Sequence, residues 1–316
     1  MPEKKIIAVL GATGSQGGGL VRAILEDPKR TFLARAITRS AQSAQAKALA
    51  ELGAQVVEAN VDDLESLKSA FADAYGAFCV TFYWHHMSPD QEKTEAKNLA
   101  QAAKDAGLRH VIWSTLEDTR KLVPLSDDRM PTLMGRYKVP HLDSKGESDA
   151  FFRELDVPTT FLLTSFYWDN AILFGMGPKQ QADGRLTLTL PMGNAKLAGI
   201  VSEDIGRCAF TILEHPDEYI GKTIGIAGQH LTGDEIAAAY SRALAHEVRY
   251  NAIEPEAYRS LGFPGADDLG NMFQYFRDFS DAVCAARNPE FTRQLNPRLQ
   301  TLDQWLAQNK DRIPLA

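Results

Sequence analysis

A glycine-rich turn near the amino terminus constrains the fold of this 316-residue chain more than any other feature. The motif Gly11-Ala-Thr-Gly14-Ser-Gln-Gly17 directly follows the apolar run Ile6–Leu10 and directly precedes an amphipathic stretch that begins near Gly18. Glycine permits a tight turn and a close approach of the backbone to a ligand, and the free N–H groups of a helix N-terminus favour an anion. This context predicts a dinucleotide pyrophosphate site rather than a ligand-free turn. We assign its contacts to Gly11, Thr13, Gly14, Ser15, Gln16 and Gly17.

The first half of the chain alternates short apolar runs with amphipathic stretches, which is typical of βαβ units. The predicted buried parallel strands are Ile6–Leu10, Phe32–Thr38, Gln55–Glu58, Ala77–Thr81, His110–Ser114 and Thr159–Leu163. The predicted helices between them are Gly18–Glu26, Ala41–Leu52, Leu64–Ala74 and Asp90–Ala106. The sequence therefore predicts an α/β fold with a Rossmann-type doubly wound parallel sheet.

Composition excludes some classes of partner. The formal net charge of −7 and the pI near 5.6 argue against a surface that neutralises nucleic-acid phosphates. No apolar run reaches the roughly 18 residues that a membrane span needs, and the amino-terminal apolar run is too short for a secretory signal. We therefore expect a cytoplasmic protein without nucleic-acid or membrane partners.

The end of the second predicted strand indicates which dinucleotide is bound. NAD-binding proteins usually place Asp or Glu there, but this strand ends in Thr38-Arg39-Ser40. Arg39 can pair with a 2′-phosphate and Ser40 can donate to it, which favours NADP(H), although Arg39 could also be a solvated surface charge. Asp62, after the third strand, is placed to meet the adenine amino group or to cap the helix that starts near Leu64.

Several motifs along the chain resemble those of the NmrA-like family of atypical short-chain dehydrogenase/reductases. Within that family, the chain is similar to the HSCARG-type NADPH sensor proteins. The motifs that carry the resemblance are the glycine loop, Thr38-Arg39, Asp62-Asp63, Tyr83-Trp84, His141-Leu-Asp-Ser-Lys145, Leu261-Gly-Phe-Pro-Gly-Ala266 and Thr301–Leu306.

The resemblance implies a smaller α/β C-terminal lobe after the Rossmann domain, with NADP(H) bound between them. The Rossmann domain would comprise residues 1–164 and about 200–230, and the lobe about 165–199 and 231–316. We predict further cofactor contacts beyond the glycine loop, Arg39, Ser40 and Asp62. These are Thr81, Phe82, Tyr83, Lys145, Phe166 and Tyr167.

The catalytic residues of the wider superfamily are only partly present. A tyrosine four residues before a lysine normally exchanges a proton, because the cationic lysine lowers the phenol pKa. Here Lys145 is present, but position 141 is His141, and Ser114 at the end of the fifth strand is a candidate for the serine role. An imidazole can act as an acid or base, and Lys145 could equally bind ribose hydroxyls without catalysis.

Aromatic residues follow the fourth and sixth strands, in Phe82-Tyr83-Trp84 and Phe166-Tyr167-Trp168. They could form the wall of a pocket for a flat substrate or simply close a cleft. We predict no metal site, because the adjacent His85 and His86 would point to opposite sides of an extended chain and no third ligand is near in sequence.

The sequence supports two functions almost equally, and it favours a third less. The first is a redox-sensing, regulatory NADP(H)-binding protein, with a regulatory protein partner and a homodimer as its expected assemblies. The second is an NADPH-dependent oxidoreductase that acts on an aromatic small molecule. The third, a sugar-nucleotide epimerase or dehydratase, is disfavoured by the missing tyrosine and by the preference for NADP(H).

Overall fold

The computed structural model describes residues 4–315, which divide into two compact units. The first unit comprises residues 4–118, 144–164 and 202–224, and the second comprises 119–143, 165–201 and 225–315. The sequence-based division kept residues 119–143 in the first domain, whereas the structure groups them with the second unit. One reason is a set of side-chain hydrogen bonds to this segment: the Asn271 amide donates to the carbonyl oxygens of Pro131 and Lys138, and the Gln274 amide donates to that of Arg129.

The central sheet of the first unit has the order expected of a doubly wound fold. Its strands are β1 (Lys5–Val9), β2 (Phe32–Thr38), β3 (Gln55–Glu58), β4 (Gly76–Cys79), β5 (His110–Thr115), β6 (Thr159–Leu163) and, at the edge, β11 (Thr223–Gly225). The order is β11-β6-β5-β4-β1-β2-β3, and the pairings among β1 to β6 are all parallel. This confirms the predicted Rossmann-type sheet, in which strands β2 and β3 lie on one side of β1 and strands β4 to β6 lie on the other, so that the strand order switches between β1 and β4.

Helices cover this sheet. They are α1 (Ser15–Glu26), α2 (Ala44–Glu51), α3 (Leu64–Phe71), α4 (Pro89–Asp105), α5 (Pro140–Glu154), α7 (Ser202–Glu214) and α8 (Pro216–Tyr219). Helix α5 starts four residues before the second stretch of the first unit. A core of fully buried side chains, including Leu67, Phe71, Leu99 and Trp113, packs α3 and α4 against the sheet. No helix among residues 4–315 is long and apolar enough to cross a membrane.

Helices α1 and α7 pack closely through glycine. A Cβ added at Gly206 would lie 2.1 Å from the backbone nitrogen of Leu20, and one added at Gly19 would lie 2.3 Å from the carbonyl oxygen of Glu203. Such distances are shorter than any van der Waals contact, so the two backbones can approach this closely only where side chains are absent. The close packing fixes the axis of α1, and with it the position of its N-terminus.

The second unit contains two three-stranded sheets and several helices. One sheet has the order β12 (Gln229–Leu231), β10 (Leu197–Ile200), β7 (Phe166–Tyr167), and the other has the order β13 (Val248–Ala252), β9 (Leu186–Leu190), β8 (Lys179–Gln180). The helices are α6 (Asn170–Leu173), α9 (Gly233–Leu244), α10 (Pro255–Arg259), α11 (Ala266–Asp278), α12 (Ser280–Ala285), α13 (Pro289–Leu295) and α14 (Leu302–Asn309). Both α9 and α14 begin with a complete capping box, at Thr232 and Thr301.

Candidate functional site

The glycine loop, Gly11–Gly17, joins β1 to α1 in a conformation that requires glycine at two of its three glycine positions. Gly11 has φ of +61°, in the left-handed region that glycine adopts without strain. A Cβ at Gly17 would lie 2.4 Å from the carbonyl oxygen of Leu10 and 2.6 Å from that of Gly11. The turn therefore depends on the residue types from which it was predicted.

The N-terminus of α1 differs from those of its neighbours. Helices α2, α3 and α4 have side-chain N-caps, supplied by Ser43, Asp63 and Ser88, whereas Gly14 at the start of α1 offers no side-chain cap. The first turn of α1 also contains no acidic residue. Uncapped N–H groups at the positive end of the helix dipole fit an anionic group such as a pyrophosphate.

Arg39 lies after β2, exposed, at the edge of a cavity of about 330 Å³. Its Nη1 donates to Nε2 of His85 at 3.0 Å, so the imidazole holds the guanidinium of the predicted phosphate contact in place. A carboxylate that sequence reasoning did not place here, Glu58 at the end of β3, lines the same cavity and accepts a hydrogen bond of 2.7 Å from the Ala41 N–H. Ser40 is also exposed in this loop.

Of the two aspartates after β3, it is Asp63 and not Asp62 that caps α3. The Asp63 Oδ1 accepts from the N–H groups of Glu65 and Ser66. The alternative cap assigned to Asp62 is therefore wrong, because its carboxylate instead accepts a hydrogen bond from the Gln91 side chain of α4. The prediction of an adenine contact at Asp62 stays a prediction.

Lys145 on α5 is buried and firmly held. Its Nζ donates to the Thr81 Oγ1 at 2.6 Å and to the Thr81 carbonyl oxygen at 3.1 Å, and it lies 2.6 Å from Oε1 of Glu92. The Thr81 hydroxyl donates to the same Glu92 oxygen at 2.6 Å, so the three groups close a ring. Thr81 follows β4, and the sequence thus predicted two members of this site, Thr81 and Lys145, but not Glu92, which is fully buried on α4.

Glu92 is also close to a histidine and a second glutamate. Its carboxylate Oε2 lies 3.5 Å from Nε2 of His86, and Oε1 of Glu95 lies 3.5 Å from the same nitrogen. The sequence argument considered only residues near the histidines along the chain. In the structure His86 has two potential ligand residues beside it, Glu92 and Glu95, because residues 83–85 form a turn of 3-10 helix and return the chain toward α4. We call Thr81, His86, Glu92, Glu95 and Lys145 the Lys145 cluster.

The electrostatics of the Lys145 cluster separate its two carboxyl groups. The charge of Lys145, the proximity of His86 and the hydrogen bonds from Lys145 and Thr81 overcome the cost of burial and lower the pKa of Glu92 to about 2. Glu95, close to the Glu92 charge and itself largely buried, has its pKa raised to about 7, first by burial and then by that charge. The Lys145 cluster therefore contains one carboxyl group that stays ionised, Glu92, and one that titrates near neutrality, Glu95.

Ser114, at the end of β5, is buried and donates its hydroxyl hydrogen bond to Oε1 of Gln16, at 2.9 Å. The next residue, Thr115, donates to Oδ1 of Asp149 at 2.6 Å. The structure thus ties Ser114 to the glycine loop, where it positions Gln16. Its predicted role as a catalytic serine is untested.

His141 belongs to the second unit, where it is buried against α11. Its Nδ1 lies 2.6 Å from Oδ1 of Asp268, and its backbone N–H donates to Oδ2 of the same carboxylate at 3.2 Å. The carboxylate orients the imidazole, as such partners do in acid–base sites. Sequence reasoning found His141 but not Asp268, which lies 127 residues later.

The predicted aromatic contacts differ in exposure. Phe82 is 57% exposed, whereas Tyr83 is buried with its ring 5.9 Å from that of His86. Phe166 and Tyr167 form β7 in the second unit and are half-buried, with the Phe166 ring 5.8 Å from that of Phe273. Tyr83 therefore supports the turn, while Phe82 is largely exposed, with its ring 6.5 Å from that of His85.

Comparison with known proteins places this geometry in a family. Residues 3–306 match the model of the NmrA-like family. The NmrA-like family domain-containing oxidoreductase FrzB of a Cladobotryum species is 29% identical over 287 residues, which cover 85% of this chain and 83% of FrzB. The NAD(P)H azoreductase of Xenophilus azovorans is 29% identical over 275 residues, 85% of this chain and 86% of that protein.

A solved structure shares the fold. The crystal structure of NmrA, a negative transcriptional regulator, in complex with NADP has a TM-score of 0.77 with 23% identity, covering 96% of this chain and 94% of that one. The family match extends over most of the length of both units, from the glycine loop to α14. The chain belongs to the NmrA-like family.

Proposed function

We propose that this protein is an NADP(H)-dependent reductase of conjugated aromatic small molecules. The observation that carries the proposal is the buried ammonium of Lys145, fixed by Thr81 and Glu92 beside the carboxyl end of β4. Ligands of open α/β sheets bind outside the carboxyl ends of the strands. The names of curated relatives, an oxidoreductase and an azoreductase, support the same class of reaction.

The cofactor contacts follow the chain from β1 to β4. The uncapped N-terminus of α1 holds the pyrophosphate through the glycine loop, and Arg39 with Ser40 holds the 2′-phosphate of NADP(H). His85 accepts a hydrogen bond of 3.0 Å from Arg39 and so orients the guanidinium. The crystal structure of NmrA with NADP supports a dinucleotide in this fold.

When bound, the nicotinamide supplies the hydride. The protein then has to orient the acceptor and supply a proton. We assign both roles to the Lys145 ammonium, one of whose three N–H groups would exchange its contact with the Thr81 carbonyl oxygen, at 3.1 Å, for the acceptor. Oε1 of Glu92 lies 2.6 Å from the Lys145 Nζ and balances the ammonium charge in the buried cluster. Thr81 fixes the direction of the Nζ, and Ser114 steadies Gln16 of the glycine loop.

The acceptor is expected to be flat and apolar. Phe82 follows Thr81 directly and leaves its ring exposed, which suits stacking against a conjugated ring system. Quinones and azo dyes combine such a ring system with a readily reduced bond. Phe166 and Tyr167 stay predicted contacts on the second unit.

A second function, redox sensing without turnover, is favoured by position 141. The superfamily tyrosine is replaced there by His141, whose Nδ1 is held by Asp268. A sensor would bind NADP(H), change its interaction with a regulatory protein and oxidise no cofactor. The homodimer, the cytoplasmic location and the two-part domain division stay predictions.

Titration calorimetry followed by an oxidation assay separates these functions. We expect NADPH to bind more tightly than NADH, and the bound NADPH to be oxidised when a quinone or an azo dye is added. Binding without oxidation by any acceptor of the panel would leave the sensor as the function. Absence of NADPH binding would refute both.

A further inference from the structure

The Lys145 cluster contains one more acidic group than it has cations to balance. Glu92 and Glu95 are both buried on α4, and both approach the same atom, Nε2 of His86, at 3.5 Å. Neither Nε2 of His86 nor Oε2 of Glu92 has a hydrogen-bond partner within normal geometry. The positions of the protons therefore decide what this cluster does.

A divalent metal is the first candidate for the space between these atoms, since the three ligand atoms lie within 4.8 Å of one another. The other nitrogen of His86 argues against it. The backbone N–H of Ser88 donates to Nδ1 at 3.0 Å, so the neutral imidazole carries its proton on Nε2. A metal would need the lone pair of Nε2 and a proton on Nδ1, where it would oppose the Ser88 N–H.

The same hydrogen bond limits the charge of His86. The neighbouring carboxylates raise the pKa of His86, but an imidazolium would again place an N–H on Nδ1 against the N–H of Ser88. The extra proton of the cluster therefore resides on Glu95. The groups that face Glu95 are Glu92, His86, Asp62 and Lys145, and the ammonium of Lys145 is in direct contact with Glu92.

We propose that Glu95 is the proton store that recharges Lys145 after each turnover. The inference rests on the proposed reductase. In each cycle the acceptor gains a hydride from NADPH and a proton from the Lys145 ammonium, which leaves a neutral amine. The amine regains a proton from Glu95 by way of the Glu92 carboxylate, and Glu95 becomes a carboxylate. Solvent then protonates Glu95 again on the partly exposed side of the cluster, while the His86 imidazole stays neutral.

The charges along this route are consistent with transfer toward Lys145. Oε1 of Glu92 contacts the ammonium, and Oε2 of Glu92 faces His86 and Glu95, so one carboxylate joins the two ends. The pKa of Glu95, raised to about 7, supports a store that is filled below neutrality and emptied above it. Glu92, with its pKa lowered to about 2, acts as a relay that is not protonated at rest.

The test compares Glu95→Gln with Asp90→Asn, a substitution on the exposed face of the same helix. With NADPH and a quinone, the wild-type kcat should fall as pH rises through 7. In Glu95→Gln we expect kcat at pH 6.5 to fall on the order of tenfold, with KM unchanged and the fall above pH 7 abolished. Asp90→Asn should keep the wild-type profile. A wild-type profile in Glu95→Gln would overturn the proposal.

A second readout does not depend on turnover. Carboxyl carbon NMR of protein labelled in glutamate should show one resonance that titrates near pH 7 and is absent from Glu95→Gln. Titration of that resonance near 4.5, or tight Zn²⁺ binding that is lost in His86→Ala, would overturn the proton store. Titration near 7 in a protein that oxidises no NADPH would instead refute the reductase, and the recharging step with it.

Discussion

The glycine loop is a backbone site built from seven consecutive residues, whereas the Lys145 cluster presents side chains from three separate segments of the first unit. The loop needs only a strand, a turn without side chains and the start of a helix. The cluster needs the end of β4, one face of α4 and α5 to meet within hydrogen-bond distance. A backbone anion site is therefore encoded locally, while a side-chain proton site exists only after the sheet has formed.

The two regions also respond differently to substitution. In the glycine loop the constraint is steric, since added carbon atoms meet backbone oxygens. In the Lys145 cluster it is electrostatic, since each buried charge depends on the next. A substitution in the glycine loop that acts through charge, or one in the Lys145 cluster that acts only through steric crowding, would contradict this distinction.

The largest effect is expected for Lys145→Ala, in the cluster. Loss of the proton donor should lower kcat for NADPH oxidation by about a hundredfold or more, and it leaves the Glu92 carboxylate buried without its cation, which costs about 3 kcal/mol of unfolding free energy. Steady-state kinetics and urea unfolding measure both. Lys145→Arg keeps the charge and should recover the stability but little of the rate, and Lys104→Ala, at an exposed position of α4, controls for loss of a lysine. Wild-type kcat in Lys145→Ala would show that the cluster is structural.

Next in size is Gly17→Ala, in the loop. The new methyl group would lie 2.4 Å from the Leu10 carbonyl oxygen, so the turn has to move, and we expect NADPH affinity to fall by about a hundredfold with a loss of about 2 kcal/mol in stability. Calorimetry and urea unfolding test this. Gly18→Ala is the matched control: its nearest contact is 3.1 Å, and the better helix propensity of alanine offsets the crowding to within about 1 kcal/mol. Equal affinities for the two variants would contradict the steric account.

A smaller effect should follow from Arg39→Ala. If Arg39 binds the 2′-phosphate, NADPH affinity should fall about tenfold to a hundredfold, in keeping with about 1.5–3 kcal/mol for a charge-assisted hydrogen bond, while NADH affinity stays nearly constant. The ratio of the two dissociation constants is the measurement. Arg109→Ala, at an exposed position of the same unit, should leave that ratio unchanged. A parallel loss of both affinities would mean that Arg39 only shapes the loop.

The smallest effect concerns pH and stability in Glu95→Gln. The folded-state pKa of Glu95 is raised from 4.5 to about 7, so the stability that its protonated form contributes is present below 4.5 and is lost as pH rises to 7. Glutamine mimics the protonated form, so the stability of the variant relative to wild type should increase as pH rises from 4.5 to 7. The total gain should be about 1–2 kcal/mol after allowance for solvent screening, and it should stay constant above pH 7. Urea unfolding at pH 5, 6, 7 and 8 gives the difference. A constant difference across this range would place the proton elsewhere.

The sequence was most informative where neighbouring residues determine the structure. The predicted strands Phe32–Thr38, Gln55–Glu58 and Thr159–Leu163 have the observed bounds, because apolar runs between helix breaks define buried parallel strands. Helix α1 begins at Ser15 rather than Gly18, since residues 15–17 at the end of the glycine loop already form its first turn. These differences are small because the local patterns are strong.

The partners of Lys145 and His141 could not be predicted in the same way. Glu92 lies 53 positions before Lys145, and Asp268 lies 127 positions after His141. A signal for Glu92 did exist, since it is a charged residue on the apolar face of α4, at the i, i+3 spacing from Glu95 that places both on one side of a helix. A buried acidic residue on such a face requires a partner, but its identity depends on which elements the fold brings together.

The most direct test of the central claim is anaerobic NADPH oxidation, followed at 340 nm, by the wild-type protein with a quinone acceptor. We predict oxidation that depends on both protein and acceptor, proceeds faster with NADPH than with NADH and is slowed by about a hundredfold or more in Lys145→Ala. Oxidation at the same rate in wild type and Lys145→Ala, or no oxidation by a protein that binds NADPH, would contradict the account.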